Sequence, residues 1–213
     1  RAVVEAARHL PAAPDPEVEG FRAVPGRGVE ALVDGAPVRM YVCGPTVYDY
    51  AHIGNFRAYA WEDVLRRHLE WRGFDVLHVM NITDIEDKII RDAAKQGAGI
   101  REFTTRFTEA FFEDVRALGI LPAHHYPRAT EHIPEMIGII LELERRGHTY
   151  VADGSVYFRI ASFPEYGRLA GIDRSRLIVG ASERVDSDEY EKKDDPRDFA
   201  LWKASKPGEP AWD

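Results

Sequence analysis

The fold class follows from residues 38–55, which read VRMYVCGPTVYDYAHIGN. Residues 38–42 form a β-rich run typical of a short strand, and Gly44-Pro45 ends that run with a turn. In a doubly wound sheet, ligands bind beyond the carboxyl ends of the strands, where the next helix begins. His52 to Asn55 occupy that helix start, so this stretch is where a ligand site is expected.

The residues that follow complete a repeating unit. Apolar side chains recur at helical spacing as far as Gly73, and residues 74–80 (FDVLHVM) indicate a second buried strand. The helical positions are Trp61, Val64, Leu65 and Leu69. A strand, a helix and a strand in this order predict a parallel βαβ unit, and hence an α/β protein.

The chain beyond residue 80 predicts two further helices and then a smaller α+β unit. The helices are expected from Asp84 to about Gln96 and along the apolar stripe of residues 103–118, which ends at a boundary over residues 119–122 (GILP). After this boundary Thr130 is expected to cap a helix that ends near Gly147. Asp153-Gly154 is expected to turn a hairpin between residues 149–151 and 155–158.

Two segments carry weaker signals. Residues 1–35 mix Ala, Pro, Gly and charged side chains and predict at most a short helix over residues 3–10. Residues 183–198 hold eight acidic and four basic side chains, which is typical of a solvated loop, with an active-site flap as the alternative.

Composition excludes several classes of protein. With 213 residues, 45% hydrophobic and 30% charged, the chain is that of a globular protein with one large or two small domains. The net charge of −8 argues against non-specific binding to nucleic acid through a global positive field, although a local basic patch stays possible. The single cysteine, Cys43, excludes an intrachain disulfide and favours a reducing compartment, so a cytoplasmic location is expected. No stretch approaches the roughly 18 consecutive apolar residues of a membrane span, so no membrane association is expected. Because the chain begins with Arg1, we expect a fragment of a longer protein.

The chemistry of the helix start is that of a nucleotide cradle. Gly54 would let a planar ring or a phosphate approach the backbone, while His52 and Asn55 would supply hydrogen-bond donors on either side. Taken alone, each of these residues is weak evidence, because a single histidine usually has a packing or surface role. Cys43 is likewise open to packing, metal binding or chemistry.

Residues 41–55 resemble the first signature of class I aminoacyl-tRNA synthetases, and in particular that of the cysteinyl-tRNA synthetase family. Further segments resemble this family in the same order along the chain, namely NITDIEDKII (81–90), YPRATEHI (126–133), ADGSVYF (152–158), YGRL (166–169) and DFALWK (198–203).

The resemblance implies a domain plan. Residues 1–36 would be an N-terminal extension, residues 37–119 the first half of a Rossmann-like nucleotide-binding catalytic domain, and residues 120–213 the start of a smaller α+β connective insertion. The second half of the catalytic domain and the anticodon-binding region would lie beyond residue 213.

The resemblance also implies roles for individual residues. Cys43 would be a zinc ligand, and Thr83 would lie in the cysteine pocket. His52 and Asn55 would be catalytic and, together with Gly54, would bind ATP; Asn55 stands where the family usually has histidine. The remaining substrate- or ATP-binding residues would be Gly44 and Thr46.

The implied function is the ATP-dependent activation of cysteine and its transfer to tRNA(Cys). The family's other zinc ligands and its lysine-bearing second signature are expected beyond residue 213, so residues 1–213 alone are expected to be inactive. Two alternatives stay open: a related zinc-dependent ligase that joins cysteine to an amino sugar, and a truncated, non-catalytic paralogue that acts as a binding module. The sequence predicts no oligomeric state.

Overall fold

The computed structural model describes residues 29–30, 38–169, 171 and 193–212. The chain divides into two compact units, residues 1–132 and residues 133–213. The elements of the first unit are β1 (Val29–Glu30), β2 (Val38–Val42), α1 (Ile53–Trp71), β3 (Val76–Met80), α2 (Asp87–Lys95), α3 (Ile100–Ala117) and a 3-10 turn (Ala129–Glu131).

The first unit is built on a parallel sheet. β2 and β3 pair in parallel from Val38↔Val76 to Val42↔Met80, with α1 as the crossover, and β1 adds an antiparallel strand to the other edge of β2. Residues 124–128 extend the parallel pairing past β3 through bridges at His125 and Arg128. This arrangement confirms the predicted βαβ unit and the Rossmann-like α/β fold.

The core lies on one face of this sheet. Alternate residues of β2 and of β3 are buried, as expected for strands with one covered face. The buried apolar side chains of the strands are Val38, Met40, Val42, Val76 and Met80; those of α1 are Phe56, Tyr59 and Leu69, and those of α3 are Phe103, Phe107, Phe111 and Val115. The α3 stripe therefore packs as predicted, apart from Leu118, which follows the end of the helix and is exposed.

The inner face of α1 differs from the prediction. Trp61 and Val64 are 70% and 56% exposed, whereas Glu62, Asp63 and Arg66 are buried. For Asp63 and Arg66 the physical reason is a set of contacts with residues 119–122, which the spacing of apolar residues does not reveal.

We call these contacts the polar clasp; its helix residues are Asp63, Arg66 and Arg67. Asp63 Oδ1 accepts from the backbone N–H of Leu121 (3.0 Å), and Arg66 Nη1 donates to the carbonyl of Pro122 (2.7 Å). Arg67 donates to Asp63 Oδ2 (2.7 Å) and to the carbonyl of Gly119 (2.8 Å). Buried charges are tolerated when they are hydrogen-bonded in this way, so the helix presents a polar surface to the loop.

The second unit is the predicted α+β unit. Its elements are α4 (Ile133–Arg145), β4 (Thr149–Ala152), β5 (Ser155–Phe158), a 3-10 turn (Ile160–Ser162) and β6 (Phe199–Trp202). The strands form an antiparallel sheet in the order β4-β5-β6. The predicted hairpin turn is present, with Asp153 and Gly154 both at positive φ (48° and 76°), as a two-residue turn between twisted strands requires.

Thr130 does not cap α4. It lies in the 3-10 turn before that helix, and its hydroxyl donates to Asp84 Oδ2 (2.7 Å) while its backbone N–H donates to Asp84 Oδ1 (2.9 Å). Thr130 thus supplies hydrogen bonds to both oxygens of the buried Asp84 carboxylate, which needs such partners. Its hydroxyl is used there and not at the start of α4, so the prediction of a cap was wrong.

Some expectations from the sequence are not tested by the described residues. The helix over residues 3–10 lies outside the described residues, as does most of the acidic segment 183–198. The domain boundaries at 36/37 and 119/120 stay predictions; the division of the chain into two compact units falls between His132 and Ile133. No helix in the described ranges is long and apolar enough to cross a membrane.

Candidate functional site

Two loops at the carboxyl edge of the parallel sheet hold four of the candidate residues. Cys43 and Gly44 directly follow β2, and Thr83 lies three residues after the end of β3. The loops pair with each other: the backbone N–H of Thr83 donates to Pro45 (3.0 Å), and that of Val47 donates to Thr83 (3.1 Å), so Thr46 and Thr83 form a parallel bridge. Cys43, Gly44, Thr46 and Thr83 are therefore brought to one edge of the sheet.

Gly44 is at this position because two backbones approach closely. A Cβ on residue 44 would lie 1.8 Å from the carbonyl oxygen of Asn81, a separation at which the two backbones would have to move apart. Gly44 is therefore required for the contact between the two loops, whatever else it binds.

Asn81, the first residue after β3, links the two loops through its side chain. Its Oδ1 accepts from the backbone N–H of Gly44 (3.1 Å) and from the hydroxyl of Tyr41 (3.0 Å), and its Nδ2 donates to Thr83 Oγ1 (2.9 Å). Partial burial, followed by the neighbouring Cys43, raises the pKa of Tyr41, which keeps that hydroxyl protonated as a donor.

Asn81 and Tyr41 were not among the site residues predicted from the sequence. The signal that could have found Asn81 is its position, because a polar side chain directly after a buried parallel strand lies at the ligand-binding edge.

His52 caps the helix that follows these loops. The backbone N–H of Gly54 donates to His52 Nδ1 (3.0 Å), so Nδ1 is the acceptor and Nε2 is the nitrogen that carries the proton in the matching imidazole tautomer. The ring lies against Gly54: a Cβ there would be 2.8 Å from His52 Cε1. The aromatic ring that Gly54 accommodates in this structure is thus the imidazole of its own helix cap.

Asn55 completes the cap from the other direction. Its Oδ1 accepts from the backbone N–H of His52 (3.0 Å), which with the His52 contact forms a reciprocal capping box. This use of Oδ1 leaves the amide nitrogen Nδ2 as the group of Asn55 that could donate to a ligand. The first turn of α1 contains no acidic residue, so its positive dipole end is not offset there by a carboxylate.

The segment between the two loops and α1 is held by aromatic contacts. The ammonium of Lys88 lies 4.7 Å from the centre of the Tyr48 ring, and the ring of Tyr50 meets that of Phe107 edge-on at 5.1 Å. These contacts attach the segment to α2 and α3. His52 is therefore held by this segment on its N-terminal side and by the first turn of α1 on its C-terminal side.

The residues described do not complete a zinc site. Cys43 is exposed and its thiolate is a ligand type that zinc prefers, yet a structural zinc site needs four ligands. Among the described residues there is no group of three or more His, Cys, Asp and Glu side chains that could hold a metal ion. Cys43 can contribute one ligand, and the others would have to come from elsewhere.

Comparisons with known proteins find similar sequences and solved structures. A Cysteine--tRNA ligase from Trichormus variabilis is 51% identical over 182 residues, which are 85% of this chain and 37% of that protein. A Cysteine--tRNA ligase from Solibacter usitatus is 55% identical over 176 residues, which are 83% of this chain and 37% of that protein. A solved structure of Mycobacterium tuberculosis methionyl-tRNA synthetase in complex with methionyl-adenylate gives a TM-score of 0.49 at 17% identity, over 59% of this chain and 33% of that one.

The chain therefore spans little more than a third of the length of these two ligases. A family model described as "tRNA synthetases class I (C) catalytic domain" matches residues 30–213, which is most of the chain. On this match, the chain belongs to the family of class I (C) tRNA synthetase catalytic domains.

Proposed function

We propose that the full gene product that contains this chain activates cysteine with ATP and transfers it to tRNA(Cys). The observation that carries the proposal is the arrangement at the carboxyl edge of the sheet, where the Cys43 loop and Thr83 are paired and His52 caps the next helix. The names of the two relatives, both Cysteine--tRNA ligases at 51% and 55% identity, support the choice of amino acid and of tRNA.

The proposed reaction has two steps. In the first, a carboxylate oxygen of cysteine forms a bond to the α-phosphorus of ATP while the bond to the bridging oxygen breaks and pyrophosphate leaves. In the second, a ribose hydroxyl at the tRNA terminus attacks the activated carbonyl carbon, and AMP leaves. Neither step needs a covalent enzyme intermediate, so the protein's task is to position the reactants and to stabilise charge on phosphorus.

His52 and the start of α1 fit the second of these tasks. Because Nδ1 of His52 accepts from Gly54, the protonated Nε2 is the atom that would donate to a phosphate oxygen. The dipole of the 19-residue helix α1 adds positive potential at the same end. Asn55 would donate through Nδ2 while its Oδ1 holds the cap.

Thr83 is proposed to line the amino-acid pocket and Gly44 and Thr46 to bind the amino acid or ATP, with Cys43 as one zinc ligand of the complete site. Zinc would supply a borderline-soft cation that binds thiolate sulfur strongly and the oxygen of a neutral hydroxyl weakly, which would distinguish cysteine from serine. The remaining ligands, and with them full activity, are proposed to lie outside residues 1–213. We also propose that residues 120–213 begin the connective insertion and that the protein is cytoplasmic.

The test is cysteine-dependent exchange of pyrophosphate into ATP, measured with the full gene product and with residues 1–213. The full product is expected to catalyse exchange with cysteine and not with serine, and residues 1–213 alone are expected to be inactive. Aminoacylation of tRNA(Cys) should follow. Transfer to an amino sugar in place of tRNA would identify the related ligase, and no exchange by the full product would reject catalysis of this reaction.

A further inference from the structure

The half-buried side chain of Asn81 determines which way the hydroxyl of Thr83 can point its proton. The backbone N–H of Gly44 can only donate, so the Asn81 atom 3.1 Å from it must be the amide oxygen. The other end of the same amide is then the nitrogen, which donates to Thr83 Oγ1 at 2.9 Å. Because Thr83 Oγ1 accepts this bond, its own proton is available to a different acceptor.

No acceptor for that proton is found in the part of the chain that the structure describes, where the Asn81 contact is the one hydrogen bond of the Thr83 side chain. The backbone of Thr83 is fixed by its bonds to Pro45 and Val47, so the side chain cannot follow a moving loop. The tight contact between Gly44 and the Asn81 carbonyl prevents the two loops from sliding past each other. The position of Thr83 and the acceptor role of its Oγ1 are thus set by a rigid framework.

We propose that Asn81 is a positioning residue for amino-acid binding: through Nδ2 it makes Thr83 a hydrogen-bond donor to a lone-pair acceptor on the bound amino acid. This inference rests on the proposed function, because it takes the ligand beside Thr83 to be the amino-acid substrate. Asn81 itself contacts Tyr41, Gly44 and Thr83 and acts on the substrate through Thr83.

Asn81→Asp separates this role from a purely structural one. An aspartate keeps an oxygen for the N–H of Gly44 and the hydroxyl of Tyr41, but its second oxygen accepts where the amide nitrogen donated. Thr83 then donates to the aspartate and loses its proton for the substrate. The KM for cysteine in pyrophosphate exchange is expected to rise on the order of 10- to 100-fold, the scale of one hydrogen bond to a charged partner, with the KM for ATP nearly unchanged.

A double-mutant cycle removes the effect of the added negative charge. Thr83→Val is expected to raise the KM for cysteine by a similar factor, and the double variant Asn81→Asp, Thr83→Val is expected to show no further rise. Thr83→Ser, which keeps the hydroxyl, is the matched control and is expected to stay within a few-fold of the wild type. A rise of the same size from Asn81→Asp in the Thr83→Val background would show that charge repulsion acts instead and would overturn the proposal.

A second measurement reports on the framework without any activity. Hydrogen exchange of the Gly44 amide, followed by NMR on residues 1–213, is expected to be faster in Asn81→Ala and close to wild type in Asn81→Asp. Unchanged exchange in Asn81→Ala, or an unchanged KM in Asn81→Asp, would overturn the assignment while the proposed function stands. If the wild-type gene product shows no cysteine-dependent exchange, the proposed function fails and this inference fails with it.

Discussion

Replacing His78 by leucine is expected to remove much of the acid sensitivity of the first unit. His78 lies in the middle of β3 and is 3% exposed. Neither of its ring nitrogens has a hydrogen-bond partner among the residues that the structure describes. Burial, then the Arg66 guanidinium and His124, lower the pKa of His78 to about 4, against smaller opposite effects of Asp63 and Glu70.

The magnitude follows from this pKa. The imidazole has an ordinary pKa of 6.5, so between pH 6.5 and about 4 the unfolded chain binds a proton that the folded chain does not. The free energy of unfolding therefore is highest above pH 6.5 and falls as the pH is lowered through this window. At about 1.4 kcal/mol per pH unit the complete loss is about 3 kcal/mol, of which about 2 kcal/mol is lost by pH 5.

The assay is amide hydrogen exchange of β3, measured by mass spectrometry at pH 7 and pH 5 and corrected for the intrinsic exchange rates. At pH 5 the carboxylate of Asp92 stays ionised, because its bond to Arg91 holds its pKa at about 2, so this ion pair does not contribute to the difference. His78→Leu is expected to lose about 2 kcal/mol less than the wild type between the two pH values. At pH 7 the free energy of unfolding of His78→Leu is expected to lie within about 1 kcal/mol of the wild-type value, because the leucine removes two buried nitrogens that have no hydrogen-bond partner among the described residues.

The matched control is His125→Leu, which removes an exposed imidazole from the neighbouring strand segment. This variant is expected to lose as much stability as the wild type on acidification. Equal losses in the wild type and in His78→Leu would refute the reasoning, because they would show that other groups bind the protons on unfolding.

Three further predictions concern the helix cap and the cysteine. Gly54→Ala is expected to displace the His52 ring, because the new Cβ would lie 2.8 Å from Cε1 of that ring. The loss of the cap is expected to destabilise the start of α1 by about 1 kcal/mol. NMR chemical shifts of the His52 ring that match the wild type would contradict this. Asn55→Ala is expected to lower pyrophosphate exchange about 10- to 150-fold in the full gene product. Asn55→Asp keeps the acceptor of the capping box but loses the Nδ2 donor, so it separates helix capping from ATP binding. Full activity in Asn55→Asp would leave Asn55 with a capping role alone. Cys43→Ser is expected to lower bound zinc and cysteine activation together in the full gene product, and unchanged zinc by metal analysis would exclude Cys43 as a ligand.

The pattern of residue types within a few positions of the sequence predicted those elements whose structure depends on residues close by in the chain. The strand over residues 38–42, its end at Gly44-Pro45 and the turn at Asp153-Gly154 all rest on side-chain alternation or on backbone conformations that few residues adopt. The placement of His52 at a helix start was predicted for the same reason.

Partners far along the chain account for what was missed. The buried face of α1 depends on Leu121 and Pro122, so no helical period could show that Asp63 and Arg66 point inward while Trp61 is exposed. The role of Asn81 likewise depends on Gly44, 37 positions earlier. The roles of the candidate site residues stay predictions until the variants above are measured.

The polar clasp also sets the order in which the first unit is completed during synthesis. Leu121 follows Asp63 by 58 positions, and Pro122 follows Arg66 by 56. A nascent chain that has just released β3 from the ribosome therefore has both strands of the βαβ unit and the ion pairs of Asp63 with Arg67 and of Arg66 with Glu70 within α1. It does not yet have the backbone groups of the loop that complete the hydrogen bonds of Asp63 and Arg66. Until residues 119–122 leave the ribosome, water must complete these bonds, so the inner face of α1 closes only once this loop has emerged.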